Sequence, residues 1–213
     1  MGKTLLVLNG KAPTEGLLRW RFEESDTIIA VDGGWDVLRN SDLLPDVLIG
    51  DLDSCEALDQ IREDFPELEI SHIMDPDTTD FEKAIKWVET HTQTTELIIL
   101  GGVGKRSDHF LSNLLVSLRI DPTWSVVFDD DSEWISRVSP SSSLLLGGRK
   151  GTTLSILPLV PSDGVSSKGL KWELTNESLS PDSKFSQSNL CTSDEVEISC
   201  ASGNLFVILS KRL

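Results

Sequence analysis

The sequence predicts an α/β protein, a mostly parallel doubly wound sheet followed by a small all-β sandwich domain. Three observations carry that reading. Short apolar runs rich in β-branched residues recur through the first part, at residues 5–8, 27–31, 47–49, 70–73, 97–100 and 126–128. Helical patterns separate several of them, as in Phe81, Ala84, Ile85 and Val88 at i, i+3, i+4, i+7 and in the stretch 110–118; strand and helix in alternation imply a parallel sheet covered on both faces. From about Glu133 the texture changes to short strand-like runs at 144–146, 153–157, 170–174, 196–198 and 205–209, with Gly, Pro and Ser between them and no useful 3.6-residue period. That is the pattern of a sandwich or barrel. The boundary is expected between the acidic turn 129–131 and the Ser-rich stretch 139–143, giving domains at 1–133 and 134–213.

Four strand ends after β-type runs carry the chemistry. Asp32-Gly33-Gly34 follows 27–31, Gly50-Asp51-Leu52-Asp53-Ser54 follows 47–49, Asp75 to Asp80 follow 70–73, and Gly101 to Arg106 follow 97–100. Ligands bind at the carboxyl ends of strands in an open parallel sheet. One Asp or Gly after a strand is ordinary turn chemistry, but four clusters in register point to a site.

Asp51 and Asp53 stand at i, i+2, so in extended backbone both carboxylates share a face and can hold a hard cation; with no Cys or His in these segments, magnesium fits better than a transition metal. The plainer reading is a turn that caps a helix over 54–61. Thr79-Asp80-Phe81-Glu82 matches a capping box, with Asp80 at the first helical position and Lys83 on the same side. Crowding of Asp75, Asp77 and Asp80 needs a cation or a base among them, because like charges repel. The glycine run 101–104 is neither a Walker A loop nor a convincing GxGxxG. Its value lies in Arg106, Asp108 and His109, a phosphate-capable guanidinium beside a possible proton acceptor at a helix start.

Composition narrows the partners. Asp plus Glu number 35 against 19 Lys plus Arg, for a formal charge of −16, which argues against nucleic acid or a membrane surface as partner. No apolar run approaches the length of a membrane span and no signal peptide opens the chain, so a cytoplasmic protein is expected. Cys55, Cys191 and Cys200 lack metal or disulfide spacing and read as structural.

Taken together, Asp32-Gly33-Gly34, Gly50 to Ser54, Asp77 to Ala84 and Gly101 to His109, with Lys168 to Leu174 and Ser188-Asn189 in the second half, resemble the thiamine pyrophosphokinase family in order and spacing. The resemblance implies transfer of a pyrophosphoryl group from MgATP to the thiamine hydroxyl, an α/β nucleotide domain, a β-sandwich and a homodimer with thiamine sites between subunits. Carried onto this chain, Asp51, Asp53 and Asp80 would hold Mg²⁺, and Lys83 and Arg106 would contact phosphates, with Asp108 also in the catalytic set. Asp32, Gly33, Gly34, Asp77, Thr79, Gly102 and His109 would line the ATP site. Trp172, Ser188 and Asn189 would contact thiamine. Pro76, Lys105 and Ser107 depart from the family pattern. Two other readings remain open at this point, a different Mg-dependent nucleotide hydrolase or transferase and a catalytically silent nucleotide-binding module.

Overall fold

A computed structural model of the chain describes residues 2–52 and 58–211. It divides into two units, Met1–Val116 with Phe128–Asp130, and Ser117–Val127 with Asp131–Leu213.

In the first unit strand and helix alternate as β1 (Gly2–Val7), α1 (Glu15–Glu23), β2 (Thr27–Val31), α2 (Gly34–Arg39), β3 (Val47–Gly50), α3 (Leu58–Asp64), β4 (Glu69–His72), α4 (Asp80–His91), β5 (Thr94–Leu100) and α5 (Ser107–Ser117). The next strand, β6 (Ser125–Asp129), crosses the division. The sheet order is β5-β1-β2-β3-β4, with every neighbouring pair parallel. Parallel strands buried on both faces need unbroken apolar runs, and β1 shows why: Leu5 and Val7 pack with Leu18 of α1, Leu38 of α2 and Ile61 of α3, while the intervening Leu6 is equally inaccessible. Helix α4 covers β2 and β3 and buries Phe81, Ala84, Ile85 and Val88, the four positions of its 3.6-residue period. The acidic run at 129–131 differs from the expected open turn, because Asp129 ends β6 buried, with its Oδ2 accepting from Arg21 Nε at 2.7 Å.

The second unit holds β7 (Glu133–Val138), β8 (Leu144–Gly147), β9 (Thr153–Pro158), β10 (Ser162–Lys168), β11 (Glu177–Leu179), β12 (Ser186–Leu190), β13 (Glu195–Ser199) and β14 (Leu205–Ser210). Two antiparallel sheets, β12-β9-β14-β7 and β11-β10-β13-β8, contribute Ile156, Val207 and Val138 from one side and Val165, Val196 and Ile198 from the other to one core, which makes the unit a sandwich. Strand β13 alternates exposed Glu195 and Glu197 with buried Val196 and Ile198. Cys191 and Cys200 are buried, free thiols in this core; Cys55 lies outside the described residues. The run 170–174, expected as a strand, is a loop: only Leu170 makes a bridge, to Cys191, and the chain then turns through Trp172. Among the described residues no helix is long and apolar enough to cross a membrane.

Candidate functional site

Strand order reverses at β1, which has β2 on one side and β5 on the other, and the carboxyl ends of β1 and β5 therefore diverge into a crevice. A cavity of about 460 Å³ lies there, lined by Leu8, Asn9 and Gly10 after β1, Asp32 after β2, and Gly101, Gly102 and Gly104 after β5. The first turns of α4 (Thr79, Asp80) and α5 (His109) complete it, together with Ser112 and Asn113. Its size suits a small organic ligand. Two helix N-termini at one cavity supply partial positive charge and open N–H groups, which suits an anion.

The loops after β1 and β5 run against each other, with the Gly10 amide donating to Gly101 O at 2.8 Å and the Lys11 amide to Val103 O at 2.9 Å. A Cβ on Gly10 would stand 2.0 Å from Gly101 O, and one on Gly101 2.2 Å from Leu8 O, so this approach requires glycine at both positions. Gly33 and Gly34 do not line the cavity. A Cβ on Gly34 would meet Val7 O at 1.8 Å, so its role is to seat α2 against β1. Asp32 lines the cavity in the left-handed region at φ 47°, a conformation uncommon for a side chain other than glycine and concentrated at functional sites.

Around α4 the capping box is formed: Thr79 Oγ1 accepts from the Glu82 amide at 3.2 Å and Glu82 Oε2 from the Thr79 amide at 2.9 Å. This fixes the helix start, and with it Asp80. Lys83 Nζ donates to Asp80 Oδ1 at 2.9 Å and lies 3.7 Å from Asp51 Oδ2, while the Asp51 amide donates to the same Asp80 oxygen at 3.2 Å. Burial by itself would lower the pKa of Lys83, but its bond to Asp80 and the charges of Asp80 and Asp51 outweigh that and hold the ammonium above its ordinary value. The base required by the aspartate crowding is thus Lys83. Asp75 has a separate local reason: its carboxylate accepts from the Asp77 amide at 3.0 Å and from Thr78 Oγ1 at 3.0 Å, an ordinary Asx-type turn. Asp77 is exposed and does not line the cavity. Asp53 lies outside the described residues.

Among the described residues no group of three or more His, Cys, Asp or Glu side chains is gathered as a metal cluster. Asp51 and Asp80 nevertheless offer hard oxygen donors side by side. Two carboxylates, with water and phosphate oxygens filling the remaining positions, are the donor set magnesium takes in nucleotide enzymes.

Arg106 and Asp108 form a fork, Nε to Oδ1 at 3.2 Å and Nη2 to Oδ2 at 2.5 Å. That bond chiefly holds the Asp108 carboxyl well below the usual range, at about 2. The same bond orients the guanidinium. Arg106 and His109 both line the cavity.

In the second unit, Trp172 exposes its indole to solvent, with Lys171 Nζ 4.5 Å from the ring centroid. Ser188 is exposed at φ 57° in the irregular part of the β12–β9 pairing, its amide bonded to Ser155 Oγ at 3.0 Å. Asn189 is buried, and its amide group is engaged within the chain.

Asn9, Lys105 and Asn113 are among the cavity residues missed in the sequence. Asn9 accepts from Lys105 Nζ at 3.0 Å, and Asn113 donates to Gly102 O at 3.1 Å. Neither Asn sits in a motif with chemistry of its own, and each acts on a loop about ten or ninety residues away. Lys105, at φ 53°, was noticed only as a departure from a pattern.

Comparison with known proteins gives a consistent picture. Residues 18–127 match the family model described as thiamin pyrophosphokinase, catalytic domain, and residues 142–205 the one described as thiamin pyrophosphokinase, vitamin B1 binding domain. A thiamin pyrophosphokinase 1 of Caenorhabditis elegans is 31% identical over 192 residues, covering 84% of this chain and 77% of the relative. A thiamine pyrophosphokinase 1 of Arabidopsis thaliana is 30% identical over 234 residues, covering 98% and 86%. Among solved structures, a Bacillus subtilis thiamine pyrophosphokinase superposes with a TM-score of 0.81 at 23% identity, covering 99% of this chain and 100% of the other, which shows a shared fold.

Proposed function

We propose that this chain, which belongs to the thiamine pyrophosphokinase family, transfers a pyrophosphoryl group from ATP to the hydroxyl of thiamine and releases AMP and thiamine diphosphate. The observation that carries the reading is the cavity at the reversal of strand order, where two helix N-termini, Arg106 and Asp80 converge on a space fit for a nucleotide, with Asp51 and Lys83 bonded to Asp80.

The residues divide the work. Glycines 10 and 101 let the two loops that border the cavity close up against each other. The N-terminus of α5 and the Arg106 fork bind phosphate oxygens, with Asp108 holding the guanidinium plane until a phosphate competes for it. Asp51 and Asp80, with Asp53, are the ligands we assign to Mg²⁺; when bound, the ion neutralises phosphate charge and orients the transferred group. Lys83 then has phosphate oxygen as a further partner besides Asp80 and Asp51. Trp172 offers an indole face to the thiamine cation, and the approach of Lys171 to that ring supports its capacity to hold one. An acidic protein also draws a cationic substrate towards itself.

The domain roles follow the same reading, residues 1–133 for nucleotide binding and catalysis and 134–213 for thiamine binding and dimerisation. We further propose a cytoplasmic homodimer, which sedimentation at micromolar concentration tests. Incubation with ATP, Mg²⁺ and thiamine tests the activity itself: AMP and thiamine diphosphate should form in equal amounts. AMP formed equally well without thiamine would favour a hydrolase.

A further inference from the structure

We infer that Asn189 is a positioning residue, one that sets thiamine affinity by fixing the main chain of Trp172 and makes no contact with the ligand. The inference rests on the proposed thiamine site at Trp172. Asn189 is 1% exposed. Its Oδ1 accepts from the Trp172 amide at 3.1 Å and from the Leu190 amide at 2.9 Å. Its Nδ2 donates to Trp172 O at 2.7 Å and to Ser186 Oγ at 3.3 Å. These four bonds fill two acceptor and two donor positions, the whole capacity of a side-chain amide. The oxygen and nitrogen cannot be interchanged, since both backbone N–H groups need an acceptor and the Trp172 carbonyl needs a donor. No hydrogen-bonding position is left for a ligand.

The pair of bonds to one residue's N–H and C=O copies the pairing of a neighbouring strand, at a place where the ladder has broken. Beside it the Lys171 amide donates to Leu190 O at 2.8 Å, and the Leu170–Cys191 bridge ends the regular pairing. The result is a tryptophan whose backbone is held at both polar groups while its indole stands 58% exposed. Such an indole meets a cation with little ordering left to do, which is how pre-organisation raises affinity.

Asn189→Asp separates this role from direct contact by the sign of its effect. The carboxylate keeps the acceptors but loses the donor to Trp172 O. A side chain touching the thiamine cation would bind it more tightly once negative, whereas loss of the latch should raise the thiamine KM about tenfold with the ATP KM and kcat nearly unchanged. In a Trp172→Ala background the same change should shift the thiamine KM less than about twofold, since the route through the indole is gone. An equal shift in both backgrounds, or tighter thiamine binding in Asn189→Asp, overturns the inference while leaving the thiamine site standing. A wild-type thiamine KM in Trp172→Ala overturns that site and the inference with it. Should the variant fail to fold, hydrogen exchange on the wild-type chain decides: the Trp172 amide is expected to be protected despite its exposed side chain, and free exchange there would contradict the latch.

Discussion

Removing Lys83 probes both the stability and the chemistry of the cluster. The ammonium is almost wholly buried, 2.9 Å from Asp80 and 3.7 Å from Asp51, whereas those carboxylates keep 30% and 42% of their side-chain surface in water. At an effective dielectric constant near 20, Coulomb's law gives roughly 4–6 kcal/mol of attraction for each distance. Burial of the ammonium offsets much of that, and solvent at the carboxylates screens the rest, so Lys83→Met should cost only about 1–3 kcal/mol. For a chain of this size that is a fall in Tm of roughly 2–12 °C. The two carboxylates then face each other without a base. Added Mg²⁺ should therefore raise the Tm of Lys83→Met by more than it raises that of the wild type, although turnover falls at least ~100-fold with loss of a phosphate contact. Differential scanning calorimetry with and without Mg²⁺ reads the first effect and steady-state kinetics the second. Equal Mg²⁺ shifts in the two proteins would refute the shared use of Asp51 and Asp80 by the ammonium and the metal.

Arg106→Lys should leave the Tm within about 2 °C, because its pair with Asp108 is exposed and screened by solvent, yet raise the ATP KM about tenfold through loss of the fork geometry; unchanged kinetics would return Arg106 to the surface. The depressed Asp108 carboxyl contributes above the ordinary carboxylate pKa and loses its charge only as pH falls through about 2, so Asp108 should add no inflection to the ATP KM between pH 5 and 8. Arg137 donates to the carbonyls of Ser117, Ile120, Asp121 and Trp124 at 2.6–2.9 Å in full burial. Arg137→Met should thus destabilise by roughly 3–5 kcal/mol in urea unfolding, about one for each lost bond, and a loss under 1 kcal/mol would count against that anchoring role. Burial pushes the Cys191 and Cys200 thiols up, so at pH 8 alkylation mapped by peptide mass spectrometry should mark neither in the native protein and both in denaturant.

What was legible in the sequence was whatever local pattern controls. The capping box predicted the start of α4 and the common face of Asp80 and Lys83, because its bonds span only three residues. The apolar runs marked the parallel strands, since burial on both faces leaves no room for polar positions. Strands β10 (SDGVSSK) and β12 (SQSNL) escaped notice because their outward and edge positions are polar and their inward ones few. The stretch 170–174 carries leucines like a strand, yet Gly169 at φ 80° and the bonds from Asn189 bend it into a loop. Asn9, Asn113 and Asn189 act across distances in sequence that only the folded chain closes. The Arg106–Asp108 fork depends on side-chain geometry no spacing reveals.

The central claim is that two phosphates leave ATP together for thiamine. With ATP carrying an isotopic label at the β-phosphorus, in the presence of Mg²⁺ and thiamine, all transferred label should appear in thiamine diphosphate and none in AMP. Label retained in ADP beside thiamine monophosphate, or released as inorganic pyrophosphate whether or not thiamine is present, would contradict the account.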